Sequence, residues 1–247
     1  FVQKSIANGI DILRIFDALN DARNLETAIK ATQKEGGHVQ AAISYTTGPV
    51  YTMEYYANYA KQLETYQVDY DVFASSYYPF WHGSMENLSN LLSEIARTYG
   101  KEVMVAETSY AFTPDDSDFS GNTIGEGGAV PEYAMTQQGQ ANLVRSVVDT
   151  VANKMTNGIG VFYWEGTWIT VGQNSWEENS EKWEKFGSGW ASSYAAGYDP
   201  WDAGHYFGGC AVENQAFFDS RGVALESITV FSEIYEALKQ HHSTKND

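Results

Sequence analysis

One carboxylate stands where a buried strand would end. Residues 103–106 (VMVA) form an apolar run, and Glu107 follows it directly. An apolar run of this kind is typical of a strand buried on both faces. A glutamate at the end of such a strand needs an explanation, and it makes Glu107 our first candidate for a group that does chemistry.

The ends of two other apolar runs carry aromatic and polar side chains. At the end of the run at residues 68–77 these are Tyr77, Tyr78, Trp81 and His82, and at the end of the run at 158–164 they are Trp164, Glu165 and Trp168. Sugar rings present apolar C–H faces that stack on aromatic rings, and a carboxylate stabilises an oxocarbenium-like transition state. Any one aromatic residue is as well explained by the core, and His82 by the surface. Their combination with Glu107 at three successive strand ends favours a carbohydrate site.

Five apolar runs alternate with helical patterns, which predicts an α/β fold with βα units and a parallel sheet. The predicted strands are residues 10–16, 39–45, 68–77, 103–106 and 158–164. The predicted helices are residues 21–35, 51–66, 84–99, 137–156 and 225–240. Buried strands whose C-terminal ends turn polar indicate a (β/α) barrel of the TIM type, with the site at those ends. Because a closed barrel of this type has eight strands, the sequence predicts a partial barrel of about five βα units.

Composition and charge exclude several classes of partner. The net charge is −17, from 32 acidic and 15 basic residues, whereas nucleic acids and anionic membranes require a basic surface. No apolar run reaches the roughly 18 residues of a membrane span. Cys210 is the single cysteine, so no intrachain disulfide forms. The first residues, FVQKS, have no signal-peptide pattern, and the sequence does not decide secretion. Residues 166–220, rich in glycine, serine and aromatic residues without clear periodicity, are predicted to form a long loop.

An acidic segment after Glu107 has the spacing of a cation-binding loop. Oxygen-bearing side chains occupy every second position, at Asp116, Asp118, Ser120 and Asn122. Alternate residues can turn toward one hard cation such as Ca²⁺. The segment is not an EF-hand, because its twelfth position is Gly127 instead of a bidentate glutamate. An acidic loop taken alone is more often simply solvated.

Several stretches between residues 65 and 238 form a specific set of motifs, among them VDYDVFASSYYPFWHG, KEVMVAETSYAFT, GIGVFYWEGTW and GGCAVENQAFFD. Over these residues the chain resembles the C-terminal half of family 53 glycoside hydrolases, the endo-β-1,4-galactanases. The resemblance implies that Glu107 is the catalytic nucleophile and that the substrate is β-1,4-galactan or a related polysaccharide. It implies that Glu165 is a polar group on the substrate side and not one of the two catalytic acids. It also favours structural Ca²⁺ in the acidic loop, with Ser120 as a carbonyl ligand. Proteins of this family are usually secreted.

The preceding part of the chain resembles a different family. Residues 1–60, with RIFDALND and ISYTTGPV, are similar to the carboxyltransferase domain of oxaloacetate decarboxylase and pyruvate carboxylase, itself an eight-stranded α/β barrel. The active lysine of that family is missing here, so its chemistry is not carried over. The resemblances predict one barrel-type domain that is a chimera: a carboxyltransferase-like segment at 1–64 and a galactanase-like segment at 65–247. Its five strands would be equivalent to strands four to eight of the parent barrels.

The chimeric arrangement leaves two classes of function open. Galactanases place their general acid/base glutamate on the fourth strand, after an asparagine, and no such Asn-Glu pair exists before residue 65. Asp17, in RIFDALND, is the one nearby carboxylate that could substitute. The first hypothesis is therefore a glycosidase of galactanase ancestry that is weak or inactive. The second is a non-catalytic chimeric barrel that at most binds sugar. In both cases an open barrel exposes two sheet edges, which favours a homo-oligomer.

Overall fold

A five-stranded parallel sheet organises the first of two compact units of the chain. The strands pair in chain order and are β1 (Ile12–Ile15), β2 (His38–Ile43), β3 (Val72–Ser76), β4 (Glu102–Thr108) and β5 (Gly158–Tyr163). This unit comprises residues Phe1–Thr108 and Ser146–Trp164. The computed structural model describes residues 1–18, 20–43, 53–170, 175–186, 193–197, 200–201, 205 and 209–243. The predicted α/β class with five parallel strands is confirmed.

Helices connect the strands as the alternation predicts. In the first unit they are α1 (Val2–Ala7), α2 (Ala22–Lys34), α3 (Met53–Thr65), α4 (Pro79–His82) and α5 (Met85–Tyr99). The side chain of Ser84 accepts a hydrogen bond from the Asn87 N–H and so caps α5. At its other end Gly100 adopts the left-handed conformation, φ 66°, which glycine reaches without a Cβ clash. The end of the predicted second strand and the start of the predicted second helix, residues 44–52, lie outside the described ranges.

The two central strands carry the core of this unit. Phe73 of β3 and Val103 and Val105 of β4 have no exposed surface, as their continuous apolar runs predict. On one side α5 packs with a buried apolar stripe, which consists of Leu88, Leu91, Leu92, Ile95 and Ala96. Another group of buried side chains comprises Ala42, Val72, Ala74, Met104 and Ala106. Because β4 is buried on both faces, its position in the sheet is fixed, and so is the position of Glu107 near its C-terminal end.

The outermost strands of the sheet are less well covered. In the described sheet β1 pairs only with β2, and β5 only with β4. Large apolar side chains remain exposed on both, with Ile12 at 55% and Phe162 at 54% of their full exposure. Unpaired strand edges with apolar side chains are templates for pairing with another chain.

The second unit comprises Ser109–Arg145 and Glu165–Asp247. Gln140 lies at its centre with no exposed surface. Its Nε2 donates to the carbonyl oxygens of Tyr110 (2.9 Å), Gln215 (3.1 Å) and Ala216 (3.1 Å), and its Oε1 accepts from Ser227 Oγ (2.5 Å). One amide side chain therefore joins three separate stretches of this unit.

The helices of the later part of the chain differ in detail from the sequence prediction. The predicted helix at 137–156 is α6 (Gln137–Asp149), followed by a π-helical turn, Thr150–Lys154. The prediction of a loop over residues 166–220 is wrong in part, because α7 (Trp176–Phe186) lies within it, with acidic residues in its first turn. The last helix, α8, is Val230–Ser243, and Glu226–Thr229 before it is 3₁₀-helical. Within the described ranges no helix is long and apolar enough to cross a membrane.

We predict that the chain self-associates through the open edges of β1 and β5. At micromolar concentration analytical ultracentrifugation should detect a dimer or larger species. Ile12→Lys, which puts a charge on one edge, should shift the population toward monomer. Tyr235→Lys, which changes an exposed aromatic residue of α8, is the matched control and should leave the distribution unchanged. A wild-type protein that sediments only as a monomer would contradict the prediction.

Candidate active site

Glu107 lies next to the last residue of β4 and is held by two hydroxyl groups. Its Oε2 accepts hydrogen bonds from Ser76 Oγ at 3.1 Å and from Tyr78 OH at 3.1 Å. Ser76 ends β3, and Tyr78 follows it two residues later, so both donors come from the neighbouring strand end. Glu107 is partly exposed, so its carboxylate is oriented by the protein and still reachable from solvent.

A β-bulge immediately before Glu107 sets the direction of its side chain. Toward β3, Val105 pairs with Ser75 but Glu107 pairs with Ser76, so β4 contains one extra residue, Ala106. The pairing of β4 with β5 shifts in register over the same stretch. Bulges are common beside active sites, where they redirect a side chain. Sequence reasoning did not identify this bulge, because an extra residue is defined only against the partner strands.

Aromatic rings surround Tyr78. The ring centroids of Phe80, Trp81 and His82 each lie 5.6 Å from that of Tyr78. The short helix α4 produces this arrangement, with Pro79 in its first turn. Tyr78 is buried, whereas Trp81 keeps 51% of its surface exposed. Trp81 therefore presents an exposed aromatic surface close to the tyrosine that holds Glu107.

Tyr77 and His82 support this turn from inside the protein. The Tyr77 hydroxyl donates to the Gly83 carbonyl at 2.8 Å, so Tyr78 is the tyrosine that hydrogen-bonds Glu107. The Tyr78 N–H donates to His82 Nδ1 at 2.9 Å. His82 is only 5% exposed, and burial lowers its pKa to about 4. His82 is therefore an interior, neutral histidine at pH 7 and not a surface one.

Arg14 of β1 is a second charged group near Glu107 that sequence reasoning did not single out. Its Nε donates to Gln40 Oε1 at 2.6 Å and its Nη1 to the Ala106 carbonyl at 2.9 Å. Its guanidinium carbon lies 4.8 Å from the centroid of the Phe162 ring. Burial lowers the pKa of Arg14, and the negative charge of Glu107 opposes this shift. The only sequence signal was an arginine within an apolar run.

Asp17 follows β1, and its carboxylate oxygens accept hydrogen bonds from residues at the start of α2. Oδ2 accepts from the Asp21 N–H at 2.9 Å, and Oδ1 accepts from Asn24 Nδ2 at 3.0 Å. Both carboxylate oxygens are thus engaged in local structure. This arrangement fits a capping role and weighs against Asp17 as a proton donor to substrate.

The remaining predicted substrate contacts fall in both units. Trp164, the last residue of the first unit, is 42% exposed, and its N–H donates to the Thr108 carbonyl at 2.9 Å. Glu165 and Trp168 belong to the second unit. The Trp168 N–H donates to the Glu165 carbonyl at 3.1 Å, and the Trp168 side chain is 55% exposed. The role of all three in sugar binding stays a prediction.

The acidic loop of the second unit is ordered by its own carboxylates. Asp116 Oδ1 accepts from the Asp118 N–H at 3.1 Å, and Asp118 Oδ1 accepts from the Ser120 N–H at 2.7 Å. Asp118 Oδ2 accepts from the Cys210 N–H at 2.8 Å. Asn122 Oδ1 is buried and has no hydrogen-bond partner among the residues that the structure describes. A buried oxygen that accepts no hydrogen bond is suited to ligate a cation, so these residues fit Ca²⁺.

Glu213 adds a further carboxylate to this loop. Its Oε1 accepts from the Ser117 N–H at 3.1 Å, while its buried Oε2 has no partner in the described part of the chain. Burial raises the pKa of Glu213, and the charges of Asp118 and Asp116 raise it further. Within the described residues, no three His, Cys, Asp or Glu side chains form a metal site by themselves. The predicted donor set is of another kind: two aspartates, one backbone carbonyl and one amide oxygen.

Comparison with known proteins identifies the class. The model of glycosyl hydrolase family 53 matches residues 7–231, so the chain belongs to this family. The match begins within the segment that also resembles carboxyltransferases, so the family similarity extends over all five strands of the sheet.

Individual relatives reflect both parts of the chain. The endo-beta-1,4-galactanase of Bacillus subtilis is 50% identical over 203 residues, which are 82% of this chain and 47% of that protein. The solved family 53 catalytic domain of Ignisphaera aggregans is 27% identical with a TM-score of 0.69, and the match covers 93% of this chain and 63% of that one. A pyruvate carboxylase polypeptide of Methanocaldococcus jannaschii is 61% identical over 64 residues, 26% of this chain and 11% of that protein. The chain thus spans about half the length of the Bacillus subtilis galactanase. The predicted resemblance to both galactanases and carboxyltransferases is confirmed.

We predict that His82 makes the protein sensitive to acid. The unfolded chain binds a proton at His82 below pH 6.5, whereas the folded protein does so only near pH 4. Stability is therefore fully present above pH 6.5 and falls as the pH drops toward 4. The shift corresponds to about 3 kcal/mol of unfolding free energy.

Urea unfolding at pH 7 and pH 4.5 measures this loss. In His82→Asn the amide oxygen can still accept the Tyr78 N–H but does not titrate. The variant should lose about 2–3 kcal/mol less than the wild type between the two pH values. Equal losses in both proteins would show that another group carries the pH dependence.

Proposed function

We propose that the chain is a retaining glycosidase of galactanase type, with Glu107 as nucleophile and with impaired turnover of β-1,4-galactan. The observation that carries this proposal is the pair of hydrogen bonds from Ser76 and Tyr78 to the Glu107 carboxylate. They hold a carboxylate, reachable from solvent, at the C-terminal end of a parallel strand, where (β/α) enzymes place their chemistry. Membership of family 53 supports the reaction class.

The surroundings of the carboxylate support a sugar as the substrate. Trp81 and Trp164 lie after β3 and β5, on either side of β4, and both keep large exposed aromatic surfaces. Such surfaces stack on the apolar faces of sugar rings. The galactanase of Bacillus subtilis supports β-1,4-galactan as the polymer. Tyr77 and His82 act here through the turn that places Tyr78.

The reaction needs two carboxyl groups, a nucleophile and a general acid/base, and Glu107 supplies the nucleophile. In the first step Glu107 attacks the anomeric carbon, a glycosyl ester forms, and the bond to the leaving oxygen breaks. A sugar leaving group requires a proton at that oxygen, normally from a second carboxyl about 5–5.5 Å from the nucleophile. Asp17 is the candidate substitute, and its two oxygens already accept hydrogen bonds at the start of α2. The proposal therefore places the defect in proton transfer and not in nucleophilic attack.

We predict negligible hydrolysis of β-1,4-galactan together with residual turnover of an activated aryl galactoside. General acid catalysis contributes roughly 10²–10⁴ in rate, and an aryl leaving group departs without it. Because general-base help for the second step is also missing, mass spectrometry should detect a covalent glycosyl adduct at Glu107. Glu107→Ala should abolish aryl turnover.

Two further variants make the test specific. Glu102→Gln, a change at the exposed beginning of the same strand, is the control and should keep the wild-type rate. Asp17→Asn tests whether Asp17 donates the proton to the leaving group or whether another group does. Full galactan hydrolysis that survives Asp17→Asn would mean that another acid/base group exists.

A binding function without turnover is the second candidate, favoured by the engagement of both Asp17 oxygens. Calorimetric titration with a β-1,4-galactose oligomer distinguishes it. Binding combined with no aryl turnover would support this candidate over the glycosidase.

We also propose that the acidic loop binds Ca²⁺ through Asp116, Asp118, the Ser120 carbonyl and Asn122. The buried oxygens of Asn122 and Glu213, for which the described ranges offer no hydrogen-bond partner, support this site. The cation would supply positive charge to a loop in which carboxylates otherwise crowd one another. It takes no part in the sugar chemistry proposed for Glu107.

Calcium should therefore stabilise the fold. A ligand that binds only the native state adds RT ln(1 + [L]/Kd), about 2.7 kcal/mol at a hundredfold excess over Kd. The melting temperature should fall on addition of EDTA and return with excess CaCl₂. Asp118→Ala should remove the response, whereas Asp149→Ala, which changes an exposed carboxylate at the end of α6, should retain it. An unchanged melting curve with EDTA would refute the site.

A further inference from the structure

Arg14 donates a hydrogen bond to the carbonyl of the bulged residue. Ala106 is the extra residue of β4, and its carbonyl oxygen lies 2.9 Å from Arg14 Nη1. The two residues are 92 positions apart in sequence. The contact therefore depends on the sheet and not on local chain geometry.

The guanidinium group is itself fixed on several sides. Its Nε donates to Gln40 Oε1, and Gln40 is buried on β2 with its own Nε2 directed at Met104 Sδ. The group lies over the Phe162 ring of β5. A planar donor held by hydrogen bonds and an aromatic contact loses little entropy when it forms one more bond. Arg14 thus connects β1 to strands β2, β4 and β5.

We propose that Arg14 is a positioning residue for Glu107: it holds the bulge of β4 in the register that directs the Glu107 carboxylate to Ser76 and Tyr78. This inference rests on the proposed role of Glu107 as nucleophile. The guanidinium also compensates charge, because the negative charge of Glu107 favours the charged form of Arg14 against the cost of burial. A residue of the carboxyltransferase-like segment thereby organises a residue of the galactanase-like segment.

Loss of Arg14 has a definite structural consequence. The Ala106 carbonyl would lose the donor that Arg14 provides for it, and an unbonded buried carbonyl is unfavourable. If the bulge slips by one residue, the side chain of Glu107 turns to the other face of the sheet. Two amide groups report this change directly: the Tyr77 N–H, which donates to the Glu107 carbonyl at 2.7 Å, and the Trp164 N–H, which donates to the Thr108 carbonyl at 2.9 Å.

The experiment compares Arg14→Met and Arg14→Lys with the wild type. Arg97→Met is the matched control, because Arg97 is an arginine of α5 whose Nη1 donates to Thr156 Oγ1. The first readout is the rate at which Glu107 is labelled by 2,4-dinitrophenyl 2-deoxy-2-fluoro-β-galactoside. In that reaction Glu107 attacks the anomeric carbon and dinitrophenolate leaves, so no acid is required. The second readout is amide hydrogen exchange at Tyr77 and Trp164, with Phe73 in the centre of β3 as the reference.

We expect Arg14→Met to label at least tenfold more slowly and to exchange the Tyr77 and Trp164 amides faster, with Phe73 unchanged. A displacement of the order of 1 Å at a reacting group is enough for a change of that size. Arg14→Lys, which keeps a charged donor near Ala106, should recover the labelling rate to within about threefold. If Arg14→Met does not fold, Arg14→Gln, which is polar but too short to reach Ala106, replaces it.

The two readouts separate the inference from the function on which it rests. A wild-type protein that is not labelled at all would refute the role of Glu107 as nucleophile. Faster amide exchange in Arg14→Met would in that case still support the inference that Arg14 holds the bulge of β4 in place. Unchanged exchange at Tyr77 and Trp164 in a folded Arg14→Met protein would overturn the inference, whatever the labelling rate. The same holds if Arg97→Met produces the same effects as Arg14→Met.

Discussion

The extra residue in β4 is the feature on which the candidate site depends. A strand buried on both faces alternates its side chains between two apolar environments, and neither suits a carboxylate. The bulge at Ala106 breaks this alternation directly before Glu107, near the C-terminal end of β4. In this register the Glu107 carboxylate accepts from Ser76 at the end of β3 and from Tyr78 just after it, and its backbone carbonyl accepts from the Tyr77 N–H. The guanidinium of Arg14 in β1 bonds the carbonyl of the preceding residue, Ala106.

The sheet shows how stretches that resemble two different families can lie in one structure. β2 lies in the part predicted to be carboxyltransferase-like and β3 in the part predicted to be galactanase-like, and their pairing runs from Gln40↔Val72 to Ile43↔Ser75 without a register shift. Backbone hydrogen bonds in a parallel ladder depend little on which side chains accompany them. The pairing of β2 with β3 therefore requires only that the apolar side chains of the two strands and their neighbours fill the core together. The small side chains Ala42, Ala74 and Ala106 meet this requirement within the core. What cannot be exchanged in this way is a catalytic group, since its function depends on a particular side chain at a particular strand end.

The fold could be predicted from sequence further than the site could. The five strands follow from apolar runs, and α5 follows from Ser84, Gly100 and the regular spacing of its leucines, all of which are local signals. Glu107 could be singled out because a charge after an apolar run is conspicuous in a single sequence. The roles of Ser76 and Arg14 depend on strand pairing, and the sequence separation of 92 between Arg14 and Ala106 leaves no local trace. The helix α7 was missed because its tryptophans and charges resemble the surrounding loop composition more than an amphipathic stripe.

In the second unit, the amide of Gln140 restricts what evolution can do at that position. Its Nε2 serves three carbonyl oxygens and its Oε1 one hydroxyl, all within the interior. Glutamate has the same shape but would direct a negative charge at those carbonyls, asparagine is one methylene too short, and an apolar residue would leave several buried acceptors without a donor. Each of these substitutions at residue 140 would therefore lose hydrogen bonds that the glutamine amide makes. A tolerated change at residue 140 would require the backbone stretches that the amide connects to change as well.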